Sequence, residues 1–333
     1  MLGNEPGVTM QLIDPDLLPL VDEVRAENAA MAARAAEEFA SSFDPDRDLV
    51  TQIRSMMEPG GIFGQDLVEA AVERTVPGPA GEIPVRVFVP PTVEAVYLSI
   101  HGGAFMMGSR RSSDRTNWQM AQACNLVVVS PEYRMAPEHE WPTGHDDCEA
   151  VALWILEHGR AELGATSDRL LIGGESAGAH IAAVTTLRLR DRHDAMARVA
   201  GANLNCGVYD LTGTPSRMLP PPENDVLAAA GSGGSAARNY FGSVRPDELR
   251  GPDTSPLYAD LRDLCPALFT VGTGDSLLDD SVFMAARWSL AGNDTELAVY
   301  PYGPHGLTGS PTEMGRRGQV KVEAFLRSCA TSA

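Results

Sequence analysis

Leu170-Leu171-Ile172-Gly173-Gly174-Glu175-Ser176-Ala177-Gly178-Ala179-His180 is the stretch whose reading decides the fold. An apolar run ends at a serine between small residues, and a helix-forming run over residues 182–190 follows at once, so the order is strand, sharp turn, helix. A serine at such a turn projects its hydroxyl above the edge of a sheet. The glycines two places before and after it let neighbouring backbone come close to a strained residue. This is the G-x-S-x-G pattern of an activated serine. With 32 glycines in 333 residues the pattern alone has little specificity, and its surroundings must supply the rest.

Outward from this turn, apolar runs and helix-forming runs alternate. Residues 95–100 are almost continuously apolar, as a strand buried on both faces requires, and they empty into His101-Gly102-Gly103-Ala104-Phe105. A helix over 116–123, a strand over 126–130 and a helix over about 145–157 precede the elbow strand. After it come a helix at 182–190, strands at 199–204 and 267–271, a helix at 282–290, a strand at 296–300 and a helix at 318–326. The alternation predicts an α/β fold, a doubly wound and mostly parallel sheet with helices on both faces. Upstream, residues 72–76 and 84–89 alternate apolar and polar about a Pro-Gly turn and read as an antiparallel hairpin.

Two regions break the rhythm. Residues 14–42 and 48–57 are rich in helix formers, with Asp16 the expected cap of the first. Residues 207–260 hold Pro220-Pro221-Pro222 and Gly231-Ser232-Gly233-Gly234-Ser235 between two sheet strands, too long an interval for an ordinary crossover, and read as a lid above the strand ends. The Gly-Ser tract reads as a mobile loop, since no Lys-Ser/Thr follows it as in a phosphate cradle.

Composition narrows the function. A chain that is 44% hydrophobic can bury a large core, and a formal charge of −19 repels phosphate backbones and anionic lipid, so neither nucleic acid nor membrane is expected as a partner. Cys124, Cys148, Cys206, Cys265 and Cys329 are odd in number, widely spaced and without a C-x-x-C pair. They read as reduced, buried thiols of a cytoplasmic protein. Residues 1–14 lack a basic, apolar leader, and no 18-residue apolar run occurs, so no secretion signal or membrane span is expected.

A serine hydroxyl needs a base, a group that orients the base, and donors aimed at the developing oxyanion. Ser176 follows the elbow strand, Asp275 follows the strand at 267–271, and His305 follows the last strand. All three stand at C-terminal strand ends, where open α/β sheets bind ligands, and in the chain order Ser, Asp, His. Asp279 and Asp280 compete with Asp275, either for the acid role or as helix caps. Gly102, Gly103 and Ala104 offer outward-facing backbone N–H groups, and the N–H of Ala177 is the second expected oxyanion donor. His145-Asp146-Asp147-Cys148 has no matching ligand spacing elsewhere, and a helix N-terminus accounts for its acids. Gly272-Thr273-Gly274-Asp275 lacks the third glycine of a dinucleotide fingerprint.

Together these residues resemble the bacterial hormone-sensitive-lipase family of α/β-hydrolase esterases, from about residue 96 to the end of the chain. Four segments carry the likeness: His101-Gly102-Gly103-Ala104-Phe105; Glu132-Tyr133-Arg134-Met135-Ala136-Pro137-Glu138-His139 with Asp146-Asp147; Gly174-Glu175-Ser176-Ala177-Gly178; and Ser255-Pro256-Leu257-Tyr258-Ala259-Asp260-Leu261 through Gly274-Asp275-Ser276-Leu277-Leu278-Asp279. The resemblance implies a triad at Ser176, Asp275 and His305, and oxyanion donors at Gly103, Ala104 and Ala177. It implies that Arg134 and Glu138 support the oxyanion loop, and that an eight-stranded sheet carries a helical cap. The expected division is then cap helices over 1–60, the catalytic domain over 61–206 and 261–333, and a cap insertion over 207–260. Three departures stand out: Ala104 for the third glycine of H-G-G-G, Ser276 for the proline after the acid, and Leu307 for the phenylalanine of His-Gly-Phe.

The expected activity is therefore hydrolysis of small-molecule carboxylic esters through an acyl-enzyme, with no metal or organic cofactor, favouring short to medium acyl chains beneath the cap. Amides, lactones and carbamates use the same machinery, and a non-catalytic ligand receptor on the same fold is the rival from another class. A homodimer through the last strand and final helix is expected, since residues 296–300 would form an edge strand in need of cover.

Overall fold

Eight strands make one sheet in the computed structural model, which describes residues 12–42, 44, 46, 48–61, 64–219 and 240–331. They are β1 (Val72–Gly78), β2 (Gly81–Phe88), β3 (Ala95–Ile100), β4 (Leu126–Pro131), β5 (Leu170–Glu175), β6 (Val199–Asn205), β7 (Ala267–Gly272) and β8 (Thr295–Tyr300). Their spatial order is β1-β2-β4-β3-β5-β6-β7-β8. β1, β2 and β4 pair antiparallel, and every pair from β4 through β3 to β8 is parallel. The chain steps one way from β3 to β4 and the other way from β5 onward, so the order reverses between β3 and β5. A crevice above that point is where such sheets bind ligands, and the Gly102–Ala104 loop and Ser176 leave the sheet there.

Among the described residues the α-helices are α1 (Val21–Ser42), α2 (Leu49–Ser55), α3 (Asp114–Cys124), α4 (Thr143–Leu163), α5 (Ala177–His193), α6 (Pro215–Met218), α7 (Leu278–Leu290) and α8 (Glu313–Thr331). Every residue of β4, β6 and β7 is buried, the result of covering both faces of a parallel sheet. Alternation along the strands divides the core into two layers. Tyr97, Val128, Leu171 and Leu268 meet Met120 of α3 and Phe325 and Leu326 of α8, whereas Leu98, Val129, Ile172 and Phe269 face Ile155 of α4, Leu187 of α5 and Trp288 of α7. Trp288 is fully buried and its Nε1 donates to Cys265 O at 2.9 Å.

The pattern reading finds the elements and shortens several of them, whereas the helical region read over 48–57 forms α2 only over Leu49–Ser55. The helix expected over 145–157 runs Thr143–Leu163, and that expected over 318–326 runs Glu313–Thr331, because polar end turns carry little apolar periodicity. The first N-terminal helical region begins with a 3-10 turn, Pro15–Leu20, capped by Asp14, whose carboxylate accepts from Asp16 N at 3.0 Å. Asp16, the expected cap, is thus inside the turn. Ile13 forms a parallel bridge to Val299, so the chain's own N-terminal segment covers part of the β8 edge. The tracts at 220–222 and 231–235, and residues 1–11, lie outside the described residues. All five cysteines are free and buried. Among the described residues no helix is long and apolar enough to cross a membrane.

Candidate active site

Ser176 joins β5 to α5 with φ 58° and ψ −120°, a conformation that a non-glycine residue holds only when its surroundings impose it. Its N–H donates to Asn205 O at 2.9 Å on the neighbouring strand β6, and His180 N donates to Ser176 O at 3.1 Å. The turn passes directly over the end of β3. A Cβ on Gly178 would stand 2.1 Å from Ile100 O, which explains glycine there as a steric necessity.

The loop after β3 supplies the second wall. Gly103, Ala104 and Phe105 all have positive φ, at 123°, 53° and 63°, and the turn closes by Met106 N and Met107 N donating to Gly103 O at 3.0 and 2.9 Å. Tyr133 OH donates to His101 O at 2.9 Å, the His101 and Tyr133 rings stack at 4.3 Å, and Ala136 N donates to Phe105 O at 2.9 Å. Gly102 packs against the elbow, where Ser176 Cβ lies 3.4 Å from the place a Gly102 Cβ would occupy. The N–H groups of Gly103 and Ala104 donate to no other described group, and Ala177 is the first residue of α5, whose geometry leaves its N–H without an intrahelical acceptor.

Two further loops are stitched to each other on the opposite side. Thr273 N donates to Tyr300 O at 2.9 Å, Gly274 N to Gly303 O at 3.0 Å, and Tyr302 N to Thr273 Oγ1 at 2.8 Å. This brings Asp275 Oδ2 to 2.9 Å from His305 Nδ1, while Asp275 Oδ1 accepts from Leu277 N at 2.8 Å. The Asp275 side chain is fully buried and that of His305 is 12% exposed. Burial, the largest influence, disfavours the imidazolium; the Asp275 carboxylate outweighs it, with Cys206 adding to the effect, and holds His305 well above its ordinary value. No hydrogen bond joins Ser176 Oγ to His305 in this structure; such contacts often tighten only with substrate bound.

The rival acids are occupied elsewhere. Asp280 accepts from Tyr209 N at 2.6 Å, Asp210 N at 2.9 Å and Thr214 Oγ1 at 2.6 Å, and Asp279 accepts from Ser216 N at 2.8 Å, so both anchor the segment after β6. Arg134 makes no bond to the glycine loop. Its guanidinium grips Asp147 twice at 2.8 Å, and Glu138 is held by Arg54 at 2.7 and 2.8 Å. Of the acids in the first turns of α4, Asp147 serves Arg134 and Asp146 meets Arg188 at 2.9 Å, so ion pairs engage them as well as the helix end. His145 Nδ1 pairs with Tyr240 OH at 3.0 Å.

Three neighbours escape sequence reasoning. Cys206 Sγ, an Asp275 carboxylate oxygen and a His305 ring nitrogen lie within 4.8 Å of one another. Burial raises the Cys206 thiol, with His305 opposing. Glu175, partly buried beneath Gly306, has its carboxyl raised by burial, with His305 opposing and Asp275 adding. Asn205 Nδ2 bridges Glu175 Oε2 at 3.2 Å to Thr308 Oγ1 at 2.7 Å, tying the elbow to the histidine loop. Cys206 and Asn205 sit just where β6 ends. That position was the available signal, but no motif marks them.

The profile of the alpha/beta hydrolase fold family matches residues 97–309. Esterase LipI of Mycobacterium tuberculosis is 34% identical over 277 residues, covering 77% of this chain and 82% of the relative. Carboxylesterase NlhH of the same species is 31% identical over 326 residues, 91% of each chain. The esterase of Pyrobaculum calidifontis superimposes with a TM-score of 0.73 at 28% identity, covering 87% of this chain and 96% of its own. In agreement with the resemblance to the hormone-sensitive-lipase esterases, this chain belongs to the α/β-hydrolase family and is an enzyme of its carboxylesterase class.

Proposed function

We propose that the chain hydrolyses small carboxylic esters through an acyl-enzyme on Ser176. His305 Nε2 takes the Ser176 proton as Oγ attacks the ester carbonyl, and Asp275 holds the imidazole tautomer that leaves Nε2 free to do so. The N–H groups of Gly103, Ala104 and Ala177 receive the oxyanion, and His305 returns the proton to the departing alcohol. Water then repeats the cycle on the acyl-enzyme. The observation that carries this reading is the 2.9 Å Asp275–His305 bond at the same sheet edge as a serine held at φ 58°. Gly102 gives the loop its close approach to the serine, and Ala104 keeps the backbone donor while adding a methyl group beside it.

The proposal extends to a cap over residues 1–60 and 207–260. Leu17 and Val24 pack on Tyr300 and Leu307, and Arg25 lies 4.0 Å over the Tyr302 ring, so the N-terminal helices lean on the loop that carries His305. A cap seated this low encloses the acyl end and favours short to medium chains. A panel of p-nitrophenyl esters tests both parts. Turnover is expected to peak between acetate and hexanoate and fall for long chains. A maximum at long chains would remove the enclosed pocket, and turnover of amides, lactones or carbamates in preference to esters would replace the ester reading.

A homodimer through β8 and α8 belongs to the same proposal. Beyond the bridge from Ile13 to Val299, the outer edge of β8 has no strand partner among the described residues, and Val320 of α8 is 58% exposed. Light scattering at micromolar concentration is expected to give twice the chain mass; the mass of one chain would refute it.

A further inference from the structure

We infer that Arg54, on the N-terminal helix α2, is a positioning residue for the backbone donors at Gly103 and Ala104; the inference rests on the esterase reading of that loop. Arg54 Nε donates to Met106 O at 2.7 Å and Nη2 to Ala136 O at 2.8 Å, while Nη1 and Nη2 hold Glu138 Oε1 and Oε2 at 2.8 and 2.7 Å. The fork therefore clamps two segments that also meet through Ala136 N and Phe105 O. Residues 103–105 belong to no helix or strand, and all three sit at positive φ. Their conformation is strained, so the bonds around the turn must hold it in place. Met106 joins the turn to the guanidinium: its N–H closes the turn on Gly103 O, and its carbonyl accepts from Arg54 Nε.

Arg54 and Glu138 are 28% and 54% exposed in their side chains, and an ion pair so placed contributes little to global stability. The Arg54 hydrogen bonds hold the Glu138 carboxyl down to about 2, so the pair stays charged near neutral pH. A guanidinium presents several donors in a fixed plane, whereas a lysine ammonium places its three donors on one nitrogen and does not reproduce the fork that spans Met106 O, Ala136 O and Glu138. Removing Arg54 should thus leave the fold and loosen the donors.

Arg54→Met, Arg54→Lys and Glu138→Gln test this with two readouts, steady-state kinetics and the rate at which diethyl p-nitrophenyl phosphate phosphorylates Ser176. Arg54→Met is expected to lower kcat about 10- to 100-fold, the scale of a displaced oxyanion donor, with KM within about threefold. The phosphorylation rate should fall by a like factor, since that reaction also builds negative charge on an oxygen facing the loop, and the melting temperature should stay close to wild type. Arg54→Lys should recover only part of the loss, and Glu138→Gln, which spares both main-chain bonds, should lose least. If Arg54→Met does not fold, Arg54→Lys is read in its place by the same criteria. Rates within threefold of wild type, or a loss of melting temperature without loss of kcat, would overturn the inference. A wild-type enzyme that hydrolyses esters through Ser176 while Arg54→Met is unimpaired refutes Arg54 alone, whereas a wild type without Ser176-dependent turnover refutes the underlying reading.

Discussion

Ser176→Ala is expected to lower kcat/KM for a p-nitrophenyl ester by roughly 10⁴- to 10⁶-fold, leaving only the rate that bound substrate and backbone donors sustain without a nucleophile. The loss should be purely chemical. Ser176 Oγ makes no hydrogen bond among the described residues, and alanine at φ 58° bears no more strain than serine, so the described fold loses no contact it depends on. A melting curve superimposable on wild type, beside a rate at the assay floor, is the expected pair of results. Retained turnover would mean that another group attacks the ester.

Asp275→Asn is expected to reduce kcat by about 10⁴-fold, because an amide favours the wrong imidazole tautomer while preserving the shape of the site. The contrast with its neighbour is diagnostic. Asp280 accepts two backbone N–H groups and a threonine hydroxyl in a buried position, so Asp280→Asn should cost stability, about 1–3 kcal/mol, ahead of rate. The pH profile separates the roles further. In the proposed mechanism His305 serves as a base only when neutral, and Asp275 holds it well above 6.5, so wild-type kcat/KM should disappear as pH falls through a midpoint above that value. With asparagine at 275 the raising charge is gone and burial, which favours the neutral ring, prevails. The acid limb should then move to lower pH. A limb that stays in place in Asp275→Asn would assign it to another group.

The candidate site is legible where the proposed chemistry forces a local signature. An outward-facing serine demands small flanking residues, and the close pass of Gly178 over Ile100 O shows why. Asp275 and His305 are candidates by position, since each follows an apolar strand, and the structure joins them by a hydrogen bond. Arg54 was not legible: it lies 52 residues before the carbonyl it grips, on a helix whose sequence records only helix-forming tendency. Cys206 is the buried free thiol that its sequence context predicts, yet its nearness to His305 depends on the register of β6 between β5 and β7, which no local pattern encodes. The roles implied for Arg134 and Glu138 were displaced by one step of contact: Arg134 braces α4, and Glu138 reaches the glycine loop only through Arg54. Asp16 and Asp14 illustrate a smaller ambiguity, two acids within one turn either of which could cap it.

The central claim is that Ser176 is the nucleophile, and covalent labelling tests it most directly. The folded enzyme is treated with diethyl p-nitrophenyl phosphate, digested and mapped by mass spectrometry. The account predicts one phosphoryl adduct, on Ser176, formed as activity is lost and absent when the protein is denatured before labelling. An adduct on any other residue, Cys206 beside the histidine included, or loss of activity with Ser176 unmodified, would contradict it.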